Sequence, residues 1–243
     1  MSTHPDSDAI SPIAYIESPF KEKFGIPRQS GLIQSVSGYV RFLSPYDQEE
    51  AFRGLERFSH IWISFRFHQH PSNTWRPLVR PPRLGGNHKL GVYATRSSFR
   101  PNSLGLSLVE LKKIHRQSSV CYLEIGCPDL LDGTPVYDIK PYIPYADCRP
   151  GATAGFASEA PKPSLTVHFS NSAEENLTQL DTETYPNLGQ LIRETVSYDP
   201  RPAYKSDDDN KVYAMRLWDL DVRFQVKGKQ ALVLAIGGSS KHR

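Results

Sequence analysis

The sequence predicts two units: a mainly β N-terminal domain, folded as a small antiparallel β-barrel, and a small α+β C-terminal domain. Between residues 13 and 125, short alternating or apolar runs are separated by Gly and Pro, which is typical of antiparallel sheets and barrels. Residues 149–164, RPGATAGFASEAPKPS, have the composition of a flexible connector. The sequence contains no G-x-G-x-x-G or Walker A motif, so a Rossmann-type nucleotide site is not supported.

The N-terminal elements follow from local patterns. The residues around 46–58 follow a proline and place Ala51, Leu55 and Phe58 at helical spacing, which predicts the one helix of this half. The runs that predict strands are 13–16, 37–43, 60–67, 90–95, 105–111 and 120–125.

The C-terminal half has a different pattern. Residues 173–181 and 188–197 are predicted helices, and 165–169, 212–218, 221–226 and 230–236 are predicted strands. The resulting domain prediction is a disordered tail at 1–11, a barrel domain at 12–148, a linker at 149–164 and an α+β domain at 165–238. Residues 199–204 and an acidic turn at 207–209 lie between its helices and its later strands.

Charge is unevenly distributed. Residues 57–109 contain no Asp or Glu, but they hold eight cations, seven of them Arg, and four His. Such a window indicates a polyanionic partner or an anionic ligand, and the alternative is an ordinary solvated basic face. The preference for Arg favours bidentate contacts with phosphate, and therefore nucleic acid.

The composition also argues against several classes. No apolar run approaches the roughly 20 residues of a membrane helix, and the N-terminus does not look like a secretory signal. The three cysteines have no metal-binding spacing and are interpreted as reduced thiols of a cytoplasmic protein. We therefore predict no membrane association and no metal.

Four stretches have residue types that structure alone does not require: 27–31, 67–70, 94–105 and 132–147. In the second, His68 and His70 alternate and would share one face of a strand. A metal pair, a polar strand end, and contact of His68 and Gln69 with an organic ligand all remain open.

The fourth stretch, DGTPVYDIKPYIPYAD, is too polar for a core strand. Its prolines exclude a central ladder position and suggest an extended edge or a polyproline-like path. Asp138 and Lys140 would share a face and could form an ion pair. Tyr142 and Tyr145 would be exposed unless a partner subunit or a stacked base covers them.

At this level of detail the chain resembles the TsaA-like (YaeB) family, in its two-domain bacterial TrmO form. The resemblance spans about residues 12–236 and rests on long motifs. It departs where the family often has Arg-Pro-Asn-Pro-Ile-Gly and this chain has Arg-Pro-Asn-Ser-Leu-Gly at 100–105. The matching segments are KEKFGIPRQSGL, GLERFSHIWI, WRPLVRPPRLGG, ATRSSFRPNSLGLSLVEL, DGTPVYDIKPYIPYAD and DPRPAY.

The resemblance implies a non-Rossmann barrel that binds S-adenosylmethionine and acts as a homodimer. The implied reaction is methylation of N6 of threonylcarbamoyladenosine at position 37, next to the anticodon, in threonine tRNA. The cofactor contacts it implies are Gln29, Ser30, Gly31, His68, Gln69, Arg96, Leu106, Asp132, Gly133, Thr134 and Pro135.

Two further hypotheses concern the acceptor. We predict that Asp138 is the base or an orienting group, supported by Lys140 and Tyr142, and the alternative is a structural ion pair. We predict that phosphates of tRNA contact Arg76, Arg80, Arg83 and Lys89. The main rival is an RNA- or nucleotide-binding barrel without chemistry. A small-molecule methyltransferase or hydrolase is a weaker rival, because it leaves the acid-free basic window unexplained.

Overall fold

The computed structural model describes residues 9–69, 75–117, 120–202 and 211–238. The strands of the N-terminal half are β1 (Ala14–Glu17), β2 (Ser37–Phe42), β3 (His60–Arg66), β4 (Leu78–Val79), β5 (Leu90–Gly91), β6 (Leu104–Gln117), β7 (Val120–Gly126) and β8 (Pro135–Pro141). Six of them close into an antiparallel barrel in the order β1-β2-β7-β6-β3-β8. The predicted barrel is therefore confirmed.

Alternation along the strands explains how the barrel fills its interior. In β3, Ile61, Ile63 and Phe65 are buried, while the residues between them are more accessible. Val109 of β6 and Leu123 of β7 are fully buried in the same core. Because successive side chains of a strand point to opposite faces, the intervening residues form the outer face of the barrel.

The predicted helix at 46–58 is wrong. The segment forms two short 3₁₀ helices, Glu49–Phe52 and Leu55–Arg57. Gly54 separates them with a φ of 91°, a left-handed conformation that an α-helix does not contain. The buried aromatic is Phe52 rather than Phe58, so the helical spacing did not identify the inward face.

The run at 90–95 also differs from the predicted strand. Only Leu90–Gly91 is extended, and a 3₁₀ helix, Val92–Ala94, follows it. β5 pairs with β4 in a two-stranded ribbon that stands outside the barrel.

Residues 132–147 contain a barrel strand, which corrects the interpretation of this stretch as too polar for one. β8 pairs with both β1 and β3, and Val136 is fully buried. Pro135 and Pro141 stand at its two ends, and pairing with β1 involves only residues 135 and 136, so the remainder has a free edge. Instead of following a polyproline path, Pro144 begins a one-turn helix, α1 (Pro144–Asp147).

The C-terminal unit contains β9 (Thr166–Phe169), α2 (Asn171–Gln179), α3 (Leu188–Ser197), β10 (Tyr213–Leu217), β11 (Leu220–Lys227) and β12 (Gln230–Gly238). Its sheet has the order β10-β11-β12-β9, with β9 parallel to β12 and the other pairs antiparallel. α3 buries Leu191, Ile192 and Val196 in the same core as this sheet. The predicted α+β class is confirmed.

The segment between β1 and β2, residues 18–36, connects the two units. It leaves the barrel and buries Phe20, Ile33 and Val36 in the core of the C-terminal unit. Phe20 forms an isolated β-bridge with Leu217 of β10. A segment between two barrel strands therefore packs in the core of the C-terminal unit, and the division at 148 remains a proposal about domains. Residues 1–8 of the predicted tail at 1–11, Tyr204 and the acidic turn at 207–209 lie outside the described residues.

Candidate functional site

A cavity of about 520 Å³ lies against the outer face of β3 and β6. This volume is in the range of small-molecule and cofactor sites, roughly 300–1,000 Å³. The loops that surround it are the segment between β1 and β2, the end of β3, residues 95–100 and the connection from β7 to β8. The lining residues therefore come from separated parts of the sequence.

The floor of the cavity is apolar because β6 presents leucines on its outer face. Leu104 and Leu106 are 42% and 54% exposed, unusually accessible for leucines in a strand. Trp62 of β3 lines the cavity beside them. Exposed apolar surface inside a concave site indicates a ligand with an apolar or aromatic part.

Aromatic packing shapes the inner end of the cavity. Phe65 packs edge-on against Phe67, with their ring centroids 5.0 Å apart. Gly105 leaves room for the Phe65 ring, because a Cβ at position 105 would lie 2.3 Å from its Cζ. Phe65, Phe67 and Gly105 all line the cavity.

A polar wall is formed where residues 29–31 meet Arg96 and the end of β7. The Arg96 guanidinium donates to Oε1 of Gln29 at 2.6 Å. The Ser30 hydroxyl and the Gly31 N–H both donate to the carbonyl of Cys127, at 3.1 and 3.3 Å. Cys127 has a φ of 50°, so the chain turns sharply there and directs this carbonyl towards the 29–31 turn.

Asp129, which the sequence analysis did not single out, lies in the same wall. It accepts hydrogen bonds from the Ser107 hydroxyl on β6 and from the backbone of Ser30. Removal from water raises the pKa of Asp129, while these bonds and the charge of Arg96 act in the opposite direction. The available sequence signal was a turn, Cys127-Pro-Asp, which does not separate a functional aspartate from an ordinary one.

His68 forms a second polar part of the wall with Thr134. The Thr134 hydroxyl lies 3.4 Å from Nδ1 of His68. Burial lowers the pKa of His68; the negative charge of Asp132 acts against this, and Lys23 acts with it. The imidazole is therefore mainly neutral at pH 7, so that one ring nitrogen can donate and the other can accept.

Asp132 and Gly133 form the turn behind this wall. Gly133 has a φ of 71°, and its N–H donates to the carbonyl of Ile16 at 2.7 Å. The Asp132 carboxylate accepts from the Ser18 N–H at 3.0 Å and lies 2.7 Å from the Lys21 ammonium. The carboxylate oxygens of Asp132 thus hold this turn against the segment that follows β1.

The structure brings together part of the predicted cofactor set. Five members do not line the cavity: Ser30, Gly31, Asp132 and Gly133 stand in the adjoining turns, and Pro135 begins β8. The six that line the cavity are Gln29, His68, Gln69, Arg96, Leu106 and Thr134.

The predicted catalytic group lies beside the cavity and does not line it. Asp138 and Lys140 form an ion pair of 2.7 Å on the outer face of β8, with both side chains well exposed. Asp138 is opposite Ser64 of β3, and Ser64 is opposite the cavity residue Leu106 of β6. Two strand spacings, about 10 Å, therefore separate Asp138 from Leu106 along the sheet.

Tyr142 lies at the same rim. Its ring packs edge-on against Trp62, with centroids 6.1 Å apart, and Trp62 lines the cavity. Tyr145 is 86% exposed. The surface from Trp62 to Tyr145 is therefore aromatic and accessible.

The four predicted phosphate contacts are all exposed. Arg76 lies over the ring of Phe99 at 4.6 Å, and Arg83 donates to the carbonyl of Glu159. Within the part of the chain that the structure describes, no carboxylate forms an ion pair with Arg76, Arg80, Arg83 or Lys89. Their charges are available to an external anion.

No helix in the described ranges has the length and apolar character needed to cross a membrane. In the same ranges, no group of three His, Cys, Asp or Glu side chains is arranged to hold a metal ion. His70, the second histidine of the possible metal pair, lies outside the described residues.

Known proteins resemble the chain over almost its whole length. The family model described as tRNA-methyltransferase O N-terminal domain matches residues 15–148, and the TrmO C-terminal domain matches residues 162–239. The tRNA (adenine(37)-N6)-methyltransferase of Escherichia coli (strain K12) is 51% identical over 215 residues, 88% of this chain and 91% of that protein.

A curated protein and a crystal structure from Pseudomonas aeruginosa add to this similarity. One, named "Putative S-adenosylmethionine-dependent methyltransferase RcsF", is 45% identical over 216 residues, 89% of this chain and 91% of that protein. The crystal structure of TrmO from Pseudomonas aeruginosa has a TM-score of 0.79 at 38% identity, covering 96% of this chain and 99% of the other.

Proposed function

The chain belongs to the TrmO family of tRNA methyltransferases, and we propose that it methylates N6 of threonylcarbamoyladenosine at position 37 in threonine tRNA. At the coarser level, it is an S-adenosylmethionine-dependent enzyme that methylates N6 of adenine 37 in tRNA. The proposal adds the modified base and the tRNA species. The observation that carries it is the mixed apolar and polar cavity on the outer face of the barrel, open beside an aromatic rim.

The cavity suits S-adenosylmethionine, whose bound form supplies an activated methyl group. The ligand combines an aromatic base with a charged amino-acid end, and the cavity combines the exposed leucines of β6 with a separate polar wall. We assign the apolar contacts to Leu106 and the carboxylate contact to Arg96, because a guanidinium matches a carboxylate in geometry and charge. Gln29, His68 and Gln69 supply further hydrogen-bonding groups.

Methyl transfer between two bound partners depends mainly on placement, which can lower the barrier by several kcal/mol. In this chain, the Arg96 guanidinium donates to Oε1 of Gln29 at 2.6 Å, and this hydrogen bond joins two loops. The polar wall is therefore formed before a ligand arrives. Trp62, Phe67 and Leu104 supply apolar lining to the site, which suits a reaction that benefits from a dry environment.

The acceptor base is proposed to enter over the rim formed by Trp62 and Tyr142. Both rings can stack on a nucleobase, as aromatic side chains do in single-stranded RNA recognition. On this side, Asp138 is the carboxylate proposed to take or orient the N6 proton, with Lys140 holding its position. A purely structural Asp138–Lys140 pair remains the alternative.

The basic surface of Arg76, Arg80, Arg83 and Lys89 is proposed to contact the phosphates of the tRNA. Two observations support this: the four side chains are exposed, and residues 57–109, in which they lie, contain no Asp or Glu. Action as a homodimer in the cytoplasm, carried over from the resemblance, is part of the same proposal.

The test uses S-adenosylmethionine labelled in the methyl group and threonine tRNA with or without the threonylcarbamoyl group. A third tRNA is the same threonine tRNA with guanosine in place of adenosine at position 37. We expect label in the first RNA only, recovered at N6 of the modified nucleoside. Equal labelling of modified and unmodified tRNA would refute threonylcarbamoyladenosine as the specific substrate. Binding of tRNA and S-adenosylmethionine without methyl transfer would favour the non-catalytic barrel.

A further inference from the structure

Asp129 occupies a point where three separate parts of the cavity wall meet. Its carboxylate accepts from the Ser107 hydroxyl on β6 and from the backbone of Ser30. It also lies close enough to Arg96 for that positive charge to influence its titration. One side chain therefore interacts with all three parts. It is hydrogen-bonded to β6 and to the turn at 29–31, and it is close enough to the loop at 95–100 to interact with the charge of Arg96.

The other hydrogen bonds of the turn at 29–31 and of Arg96 lie close to the residues that follow β7. The Ser30 hydroxyl and the Gly31 N–H donate to the carbonyl of Cys127, and the Arg96 guanidinium donates to Gln29. The turn at 29–31 is thus attached on one side to residues 127–129 and on the other to Arg96. Asp129 is the member of this network that is hydrogen-bonded to β6 as well, through Ser107.

We propose that Asp129 is a positioning residue, which fixes the turn at 29–31 and Arg96 against β6 in the arrangement that binds the cofactor. This inference rests on the proposed function, since it takes the cavity to be the S-adenosylmethionine site. It assigns Asp129 an action through other residues and no direct part in the reaction.

The chemistry of the site explains why an aspartate stands here. A carboxylate offers two oxygens and several lone pairs, so it can accept from Ser107 and Ser30 together and still attract a guanidinium. Burial raises the pKa of Asp129 and so disfavours the charged form. The hydrogen bonds and the positive charge of Arg96 act against this effect, so they offset part of the cost of burying the carboxylate.

The test compares Asp129→Ala with Asp129→Asn. Alanine removes all the contacts of the carboxylate. The asparagine carbonyl can still accept from Ser30, and its amide can donate to Ser107, so asparagine loses mainly the attraction to Arg96. Two measurements are made: hydrogen exchange over residues 29–31 without ligand, and the Kd of S-adenosylmethionine by titration calorimetry.

For Asp129→Ala we expect faster exchange over residues 29–31 and a Kd for S-adenosylmethionine raised about 10- to 100-fold, the range for a lost hydrogen bond to a charged group. Asp129→Asn is expected to restore the exchange protection and to give an intermediate Kd. The Kd for tRNA should stay within about twofold in both variants, which general unfolding would not allow. If alanine prevents folding, the smaller change in Kd of the asparagine variant still tests the attraction to Arg96.

Unchanged exchange together with an unchanged Kd would overturn the proposal. A raised Kd with unchanged exchange would also overturn it, because Asp129 would then contact the ligand directly. If the wild-type protein did not bind S-adenosylmethionine at all, the proposed function would fail, while exchange at residues 29–31 would still decide whether Asp129 positions this turn.

Discussion

Gly105→Ala is expected to reduce both stability and cofactor affinity, because position 105 has no space for a side chain. An added Cβ would lie 2.3, 2.6 and 2.7 Å from three atoms of the Phe65 ring. Ordinary contact begins near 3.4 Å, so the ring has to move by about 1 Å. Phe67, packed edge-on at 5.0 Å, opposes that movement.

Overpacking of this kind costs about 1–3 kcal/mol of the free energy of unfolding. For a protein of this size, each kcal/mol shifts Tm by about 2–4 °C, so we expect a decrease in Tm of roughly 2–12 °C. Because Phe65 and Phe67 both line the cavity, their displacement should also raise the Kd for S-adenosylmethionine.

The measurements are thermal unfolding followed by circular dichroism and calorimetric titration with the cofactor. Gly91→Ala is the matched control, since Gly91 has a φ of −59° and an added Cβ there meets no atom within 4 Å. If Gly105→Ala retained the Tm and the Kd of the wild type, the assigned packing of Phe65 on Gly105 would be incorrect.

Three further predictions concern the acceptor side and the connection between the units. Asp138→Asn should lower kcat by at least about 100-fold without changing the Kd of the cofactor, as expected for loss of a general base outside the cavity. Arg80→Gln should weaken tRNA binding and reduce the slope of log K against log salt by about 0.7–0.9, measured by filter binding over a salt series. Glu194→Ala should lower the unfolding free energy by about 1 kcal/mol in a denaturant titration, since the Gln34 N–H and the N–H and hydroxyl of Ser35 lose their acceptor.

Each of these has a control and a contrary outcome. Full turnover of Asp138→Asn with both substrates saturating would leave only the structural ion pair. Lys227→Gln, an exposed cation on β11, controls for net charge, and an equal effect of Arg80→Gln and Lys227→Gln would argue against a localised phosphate contact. Glu175→Ala, on the exposed part of α2, is the control for Glu194→Ala. Equal stability of these two variants would contradict the proposed role of Glu194 in holding residues 34 and 35 against α3.

The Glu194 effect should depend on pH. Burial alone would raise its pKa, but hydrogen bonds from Gln190, Ser35 and Gln34 lower it on balance. A carboxyl whose native pKa lies below its unfolded pKa stabilises the fold above the unfolded pKa, about 4.3 for Glu, and loses this contribution as the pH falls through the native pKa. The stability difference between wild type and Glu194→Ala should therefore shrink in acid.

The local sequence pattern was sufficient to predict helices and strands that bury one regular apolar face. α3 occupies the predicted residues, and β3 and β11 lie within a residue or two of their predicted bounds, because each presents one apolar face to a core. The prediction at 46–58 failed because Gly54 adopts a left-handed conformation, and apolar spacing carries no information on φ. The prolines of residues 132–147 left an extended edge and a polyproline-like path open, and only the pairing register shows that Pro135 and Pro141 stand at the two ends of a barrel strand.

The cavity was only partly predictable. His68 and Arg96 stand in stretches that their residue types singled out, the resemblance implied them as cofactor contacts, and the wall contains both. Asp129 was not reached, since its role depends on burial beside Ser107 and Ser30, which are distant in the sequence. Gly105 was likewise unremarkable until the position of the Phe65 ring was known.

The segment at 18–36 has a consequence for the order in which the protein matures. Ile33 and Val36 pack in a core that also contains residues of β10, β11 and β12, and those strands are synthesised much later than the segment. About 200 residues separate the two events, so at roughly 5–20 residues per second the segment waits for about 10–40 s. The barrel strands are complete by residue 141, and the turn at 29–31 belongs to the waiting segment. Residues 29–31 make their contacts with Arg96 and Cys127 in the barrel half, whereas the packing of Ile33 and Val36 is expected to be completed only after β10, β11 and β12 have been synthesised.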